Sequence, residues 1–291
     1  MDKKNSISGF TIIKNAIIND YPIVEAITSI LPVVDEMIVS VGDCDDETRK
    51  LIESIPSDKI KIFDSVWDSA LREGGKILAV ETDKALAHVS ADSDWAFYIQ
   101  GDEVVHEKYH SLIKDATEKF INDKNIEGLL FKYTHFYGSF DYVGDSRKWY
   151  NREIRIIRND KKIYAYRDAQ GFRKEGRKLQ VKLIDAYIYH YGWVKNPAKM
   201  KEKIKNFSKF WRDDASAVLQ AELFNFNDFD SLKKFTGTHP LVMKKRIEQQ
   251  NWRIDLDITQ KKMSLQKQFL YWFEKKTGIR LFDYKNYKII K

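Results

Sequence analysis

Two hydrophobic periods alternate along the first hundred residues. Ile7 to Ile13 is an apolar run broken only by Ser8, Gly9 and Thr11, too short for a helix, and it reads as a buried strand. Pro22 then precedes Ile23, Ala26, Ile27 and Ile30, whose i, i+3, i+4, i+7 spacing predicts a helix with one apolar face, stopped at Leu31-Pro32. The alternation repeats with a strand over 37–41 and a helix marked by Leu51, Ile52 and Ile55, then a strand over 59–63 and a helix from Lys76 to about His88. A fourth strand, Trp95-Ala96-Phe97-Tyr98-Ile99, stops on Gln100-Gly101 and releases Asp102 and Glu103 ahead of another helical pattern. Such alternation predicts an α/β fold, a mostly parallel sheet covered by helices on both faces.

The second half is less regular. Strands are predicted over 128–136, 153–158 and 184–193, and the aromatic, glycine-punctuated stretch Tyr137 to Asp145 suits either a sugar-gripping surface or a core. After Asn196-Pro197 the pattern changes to a basic helix over 199–211, with Met200, Ile204, Phe207, Phe210 and Trp211 on its apolar side. Further helices are expected over 240–252 and 263–276, and the tail interleaves aromatics with lysines as far as Lys291. The expected organisation is an α/β unit over 1–195, divided near 106, followed by a helical, basic, aromatic extension over 196–291.

Composition narrows the classes. No run of about 18 apolar residues occurs, and Met1-Asp2-Lys3-Lys4-Asn5 lacks the apolar segment of a signal peptide, so a cytoplasmic protein is expected. The single cysteine, Cys44, excludes an intramolecular disulfide and a cysteine-built metal cluster. A net charge of +7 and a pI near 9.1 favour an anionic partner. No nucleic-acid-binding motif accompanies the lysines and arginines, so nucleic acid is not the expected partner. The lysine-aromatic tail fits peripheral contact with an anionic membrane, or packing on the rest of the chain.

The polar residues gather where such a sheet would use them. Asn15, then Asp43 with Asp46, then Asp64, then Asp102 with Glu103 each follow a predicted strand, so they would share the carboxyl edge of the sheet, where open α/β folds bind ligands. Each could equally cap a helix or close a turn.

In order and spacing, these pieces resemble the GT-A glycosyltransferases, in particular the inverting family-2 enzymes of bacterial surface-polysaccharide synthesis. Lys14-Asn15 matches the basic residue and asparagine that end the family's first strand, and Asp43-Cys44-Asp45-Asp46-Glu47-Thr48 resembles its Asp-rich loop. The loop around Arg72 to Lys76 with Gly74-Gly75 stands before a helix, and Gln100-Gly101-Asp102-Glu103 stands where the family has Asp-x-Asp-Glu. The resemblance covers about residues 7 to 195. It implies a GT-A, Rossmann-like fold with a donor half over 1–106 and an acceptor half over 107–195. A sugar would pass from a nucleoside-diphosphate-sugar, a UDP-sugar first, to a saccharide or lipid-linked acceptor.

Carried over residue by residue, the resemblance puts Asn15, Asp43, Asp46, Lys76, Gln100 and Asp102 on the nucleotide-sugar. It puts Asp102 and His190 on a divalent cation, Mn²⁺ or Mg²⁺. Gln100 removes one negative charge from that site. An inverting transfer needs a carboxylate base on the acceptor hydroxyl, with Asp168 the first candidate, Asp145 the second and Glu153 the third. Arg147, Lys148, Arg152 and Arg155 are candidates for phosphate contact. A nucleotidyltransferase and a non-catalytic polyanion-binding module are the alternatives; the first normally carries a Gly-rich basic loop near its N-terminus, and none lies between Ile7 and Asn15.

Overall fold

The computed structural model describes residues 5–71, 73–211 and 213–290, without the Glu73 side chain. The expectations for Met1 to Lys4, Arg72 and Lys291 lie outside the described residues.

The first half follows the predicted alternation: β1 (Ile7–Ile13), α1 (Ile23–Ile30), β2 (Glu36–Val41), α2 (Thr48–Glu53), β3 (Ile60–Asp64), α3 (Lys76–Ala87) and β4 (Trp95–Tyr98). Next come β5 (Glu103–Val105), α4 (His110–Lys119), β6 (Gly128–Tyr137), β7 (Ser139–Gly144), β8 (Arg152–Arg158), β9 (Ile163–Tyr166), β10 (Gly171–Lys174), β11 (Arg177–Lys178) and β12 (Gln180–Trp193). The chain ends with α5 (Pro197–Ser208), α6 (Asp214–Leu223), β13 (Leu232–Lys234), α7 (Lys244–Glu248), α8 (Leu265–Thr277) and β14 (Lys288–Ile289).

The class is α/β. Strands run β13-β7-β6-β8-β4-β1-β2-β3 across a mixed sheet, which β5, β12 and β14 also join. The edge β3-β2-β1-β4 is parallel, whereas β8 is antiparallel to both β4 and β6. The chain leaves β1 toward β2 and β3, then returns to place β4 on β1's other side. That reversal opens a crevice at the carboxyl ends of β1 and β4.

Both faces of β1, β2 and β4 are buried, which explains their near-continuous apolar runs. On β4, Trp95 and Phe97 join one core with Ile27 of α1 and Ile113 of α4, while Ala96 and Tyr98 join the other with Ala79 and Ala85 of α3. The second core is closed by the small antiparallel sheet β9-β10-β11, through Ile163, Ala165 and Phe172.

The final third adds two strands to the sheet besides its helices. β13 pairs with β7, β14 pairs with β12, and Met200 and Ile204 of α5 pack with Tyr137 in one core. Pairing of such short strands is decided by the partner strand rather than by their own propensity, so β13 and β14 left no readable pattern. The helix expected over 240–252 reduces to a short turn at Leu241–Met243 and α7. Tyr137 and Phe140 are core residues, which settles the aromatic stretch there in favour of packing. Among the described residues no helix is long and apolar enough to cross a membrane.

Candidate functional site

The crevice between β1 and β4 opens into a cavity of about 550 Å³. It is lined by the strand ends Ile12 to Asn15, by Tyr98 and Gln100 to Asp102, and by α5 and the segment after it. Asn196 caps α5 by accepting from the Ala198 amide, with Pro197 as the first helical residue. This start fixes the rotation of α5: Met200 and Ile204 turn inward, and Lys203 and Phe207, one turn apart, line the cavity.

Asn15 adopts a left-handed conformation (φ 54°), which asparagine tolerates better than most residues, and its side chain locks the next loop. Its Nδ2 donates to Asp45 at 2.8 Å while its Oδ1 accepts from the Asp45 amide at 2.7 Å. Of the acids in that loop, Asp45 lines the cavity. Asp43 pairs with Lys14 at 2.7 Å and accepts from the Trp67 amide at 3.1 Å, so it anchors the loop carrying Trp67. Asp46 accepts from the Ile17, Ile18 and Thr48 amides and from the Thr48 hydroxyl, which makes it a turn cap rather than a group free for a ligand. Lys76 is the exposed first residue of α3, outside the cavity lining that Ile77 and Leu78 supply. Gly75, at φ 71°, leaves room for Trp211, whose ring would lie 2.7 Å from any added Cβ.

At the end of β4 the two adjacent acids part. Glu103 is fully buried, gripped at both oxygens by Arg155 at 2.8 and 2.7 Å, by the Tyr133 hydroxyl at 2.7 Å and by the Gln100 amide at 3.2 Å. It neither faces solvent nor makes up for the missing charge at Gln100. Arg155 is thereby consumed, and Arg147 is held by Glu274, so neither contacts a phosphate in this cavity. Gln100 lines the cavity.

Asp102 also lines it, with its Oδ2 3.2 Å from Lys203 Nζ and 3.7 Å from His190 Nε2. Burial alone would raise the Asp102 pKa, but Lys203, His190 and Lys195 overcome it and hold the carboxyl well below the usual range. Gly192 permits this approach, since a Cβ there would lie 2.6 Å from Asp102 Oδ2 and 2.8 Å from His190 Nε2. His190 Nδ1 lies 3.2 Å from His135 Nδ1, and His135 is in turn bonded through Nε2 to the Tyr150 carbonyl at 2.7 Å. Behind them Lys195, 1% exposed, donates to the Asp20 carbonyl; burial, then the charge of Lys203, push it down to about 7.

These residues do not by themselves fit a resident divalent cation. Mg²⁺ and Mn²⁺ favour six hard ligands, and Asp102 and His190 supply two. No cluster of three such side chains exists among the described residues. An ammonium already lies against the Asp102 oxygen.

The three candidate bases occupy different places. Asp168 lines the cavity on the turn between β9 and β10, flanked by Arg167 (φ 58°) and Ala169 (φ 59°). Two left-handed non-glycine residues each cost about 1 kcal/mol or more and persist only where the surroundings over-determine them. Here Gln170 supplies that constraint, its carbonyl accepting from Arg155 at 3.1 Å and its side chain donating to Glu153 at 3.2 Å. Glu153 is buried, outside the cavity lining, and pushed up to about 8 by burial first, which favours its neutral form. Asp145 faces a second cavity of about 350 Å³, where Tyr271 at 2.6 Å and Lys275 at 2.9 Å hold it. Tyr150 borders both cavities.

Reading the sequence missed Lys203, Asp45, Tyr21 and Trp67, all of which line the cavity. The indole N–H of Trp67 meets no acceptor among the described residues.

No protein-family model and no curated protein matches this chain. Among solved structures, it is similar to TarS 1-349 of S. aureus in complex with UDP, at 18% identity and a TM-score of 0.41, over 73% of this chain and 68% of that one. Against the longer S. aureus TarS structure the TM-score is 0.38, and this chain spans 41% of that chain. It is also similar to the glucosyl-3-phosphoglycerate synthase of Mycobacterium tuberculosis in complex with Mn²⁺, UDP and phosphoglyceric acid, at 20% identity and a TM-score of 0.31, over 45% and 43% of the two chains. A third similarity is to the 4-diphosphocytidyl-2C-methyl-D-erythritol synthase of Anaerococcus prevotii, at 13% identity and a TM-score of 0.40, over 75% and 97%. Similarity at this level assigns no activity.

Proposed function

We propose that the protein is a glycosyltransferase of GT-A type that moves a sugar from a nucleoside-diphosphate-sugar, UDP-sugars first, to a hydroxyl of a saccharide or lipid-linked saccharide. The observation that carries this reading is the cavity at the β1–β4 crevice, whose lining brings together Asn15, Asp45, Gln100, Asp102, Lys203 and Asp168 of the strained β9–β10 turn.

In this reading the nucleoside lies toward Asn15, Asp45 and Trp67, where a fixed carboxylate and amide can bond its polar edges and the indole its ring. The diphosphate lies toward Asp102 and Lys203. Asp168 takes the proton from the acceptor oxygen as that oxygen attacks the anomeric carbon from the face opposite the diphosphate, which inverts the configuration. Asp102 and His190 are the residues that would face a divalent cation, which would supply positive charge to the leaving group. Peripheral contact with an anionic membrane belongs to the same reading, through the exposed Leu265, Phe269 and Trp272 of α8 beside Lys267 and Lys275; flotation with anionic vesicles tests it.

The decisive experiment is a screen of nucleotide-sugars with candidate acceptors, with and without Mn²⁺, that follows release of the diphosphate. Asp168→Asn is expected to lower turnover about 10²–10⁴-fold while nucleoside-diphosphate binding is kept. Unchanged turnover in that variant removes Asp168 from the chemistry. Release of pyrophosphate from a nucleoside triphosphate would mark a nucleotidyltransferase, and salt-sensitive polyanion binding with no turnover a binding module.

A further inference from the structure

We infer that the positive charge which meets the departing nucleoside diphosphate is the ammonium of Lys203, and that the chain binds nucleoside diphosphates without a metal ion. The inference rests on the transferase reading and concerns how that site works.

Three observations carry it. Lys203 Nζ lies 3.2 Å from Asp102 Oδ2 and 2.8 Å from the Gly192 carbonyl, so it sits against the carboxylate that a bridging cation would otherwise use. An ammonium has three donors; the protein engages two, and Lys203 lines the cavity. Its side chain is 11% exposed, and the Tyr21, Phe207 and Trp193 rings lie 5.1, 5.9 and 6.0 Å from Nζ. Such a charge is aimed by its surroundings rather than left to wander in solvent, and partial burial strengthens its attraction for an anion.

The second observation is the poverty of the alternative. Gln100 is neutral, Glu103 is spent on Arg155, and Asp102 with His190 are two donors where a hard divalent ion asks for more. The third is the origin of Lys203. It comes from α5, beyond the sheet, and the cap at Asn196 together with Met200 and Ile204 in the core fixes it over the β4 end. The lysine is thus built into the wall of the site.

The chemistry balances without a further reactant. The acceptor oxygen forms its bond to the anomeric carbon and gives its proton to Asp168. The bond from that carbon to the diphosphate oxygen breaks, and its electron pair stays on the diphosphate, which gains one negative charge. A fixed N–H of Lys203 meets that charge as it develops. Asp102 orients the ammonium and is a positioning residue in this scheme.

Isothermal titration of UDP and GDP into the full chain, in EDTA and in Mn²⁺, tests the inference with wild type, Lys203→Met and Lys203→Arg. Wild type is expected to bind one of the two in EDTA within about twofold of its affinity in Mn²⁺. Lys203→Met should weaken binding in EDTA about 10–100-fold, the effect of one charge-assisted hydrogen bond, and Lys203→Arg should keep most of the affinity. The Mn²⁺ electron paramagnetic resonance signal of a UDP–Mn²⁺ mixture should not fall further when protein is added. Circular dichroism confirms that each variant folds, and Lys203→Arg distinguishes lost charge from lost packing. The inference is overturned if wild type binds only with Mn²⁺ and Lys203→Met binds as wild type does, an outcome that leaves the transferase reading standing. Binding of neither diphosphate in either buffer removes both.

Discussion

Asp102 and Glu103 are neighbours in the chain, each paired with a cation from far along the sequence, yet the two pairs do opposite jobs. Glu103 and Arg155 are both 0% exposed, and the carboxylate is bonded to the guanidinium, a tyrosine hydroxyl and a backbone amide. Asp102 and Lys203 are 13% and 11% exposed, stand 3.2 Å apart and border a cavity. Burying charge is tolerable when every lone pair and proton has a partner. The first pair comes close to that condition, with both Glu103 oxygens and four of the five Arg155 N–H groups bonded, and it ties β5, β6 and β8 together. The second keeps donors in reserve, and reserve bonding capacity on a cavity wall is what a ligand can use.

Breaking the sealed pair should have the largest effect. Arg155→Met leaves Glu103 buried without its cation, and urea denaturation should report a loss of about 3–5 kcal/mol. The double variant Glu103→Leu with Arg155→Met should recover much of this, because the cost lies in the unpaired charge. Asp102→Asn should cost less than Arg155→Met, because Lys203 borders the cavity and keeps the Gly192 carbonyl, while turnover falls since Lys203 loses its orientation. If Arg155→Met is as mild as Asp102→Asn, the contrast between scaffold and site is wrong.

The next effect, of about 2 kcal/mol, separates Lys195 from Lys203. The Lys195 pKa is pushed from the ordinary lysine value down to about 7 in the fold, by burial first. Between pH 7 and the ordinary value the unfolded chain binds a proton that the folded chain does not. Stability therefore rises with pH in that window, and below pH 7 the full cost of charging Lys195 is felt. Denaturation at pH 7 and pH 9 should find wild type gaining about 2 kcal/mol more than Lys195→Met over that interval. Equal pH slopes would mean that Lys195 stays charged and paired.

Much of this was legible in the sequence, for reasons that differ by element. β1, β2 and β4 could be read because both sheet faces are buried there, which writes apolar runs with abrupt polar ends, and β3, at the edge, by its short alternation. Asn15, Gln100 and Asp102 could be read as candidates because they sit at such ends, whereas His190, inside β12, came only from the family resemblance. Lys203 could not, because its contact with Asp102 spans 101 residues and depends on how α5 is rotated. The same holds for Arg155, which finds Glu103 across 52 residues, so it looked like one more free cation. Within the loop 43–48 the chain displays three aspartates, and the turn geometry alone decides that Asp45 faces the cavity, Asp43 anchors Trp67 and Asp46 caps backbone amides. Asp168 ranked ahead of Asp145 in sequence with no contact to separate them; in the fold α8 brings Tyr271 and Lys275 onto Asp145, while Asp168 lines the other cavity.

The smallest effect tests that last separation. Asp145 is held in a second cavity by a hydroxyl and two partly exposed ammonium groups, so Asp145→Asn removes the ion pairs to Lys275 at 2.9 Å and Lys233 at 3.8 Å and weakens one hydrogen bond without stranding a buried charge. Thermal unfolding should shift by the equivalent of about 0.5–1 kcal/mol, and diphosphate affinity and sugar transfer should stay as in wild type. The sharper reading is kinetic: Asp168→Asn and Asp145→Asn must differ by orders of magnitude in turnover while differing little in stability. Tyr150 is the wall between the two cavities. Should Asp145→Asn depress transfer as far as Asp168→Asn does, the acceptor must reach past Tyr150, and the base could no longer be assigned to the β9–β10 turn on cavity geometry alone.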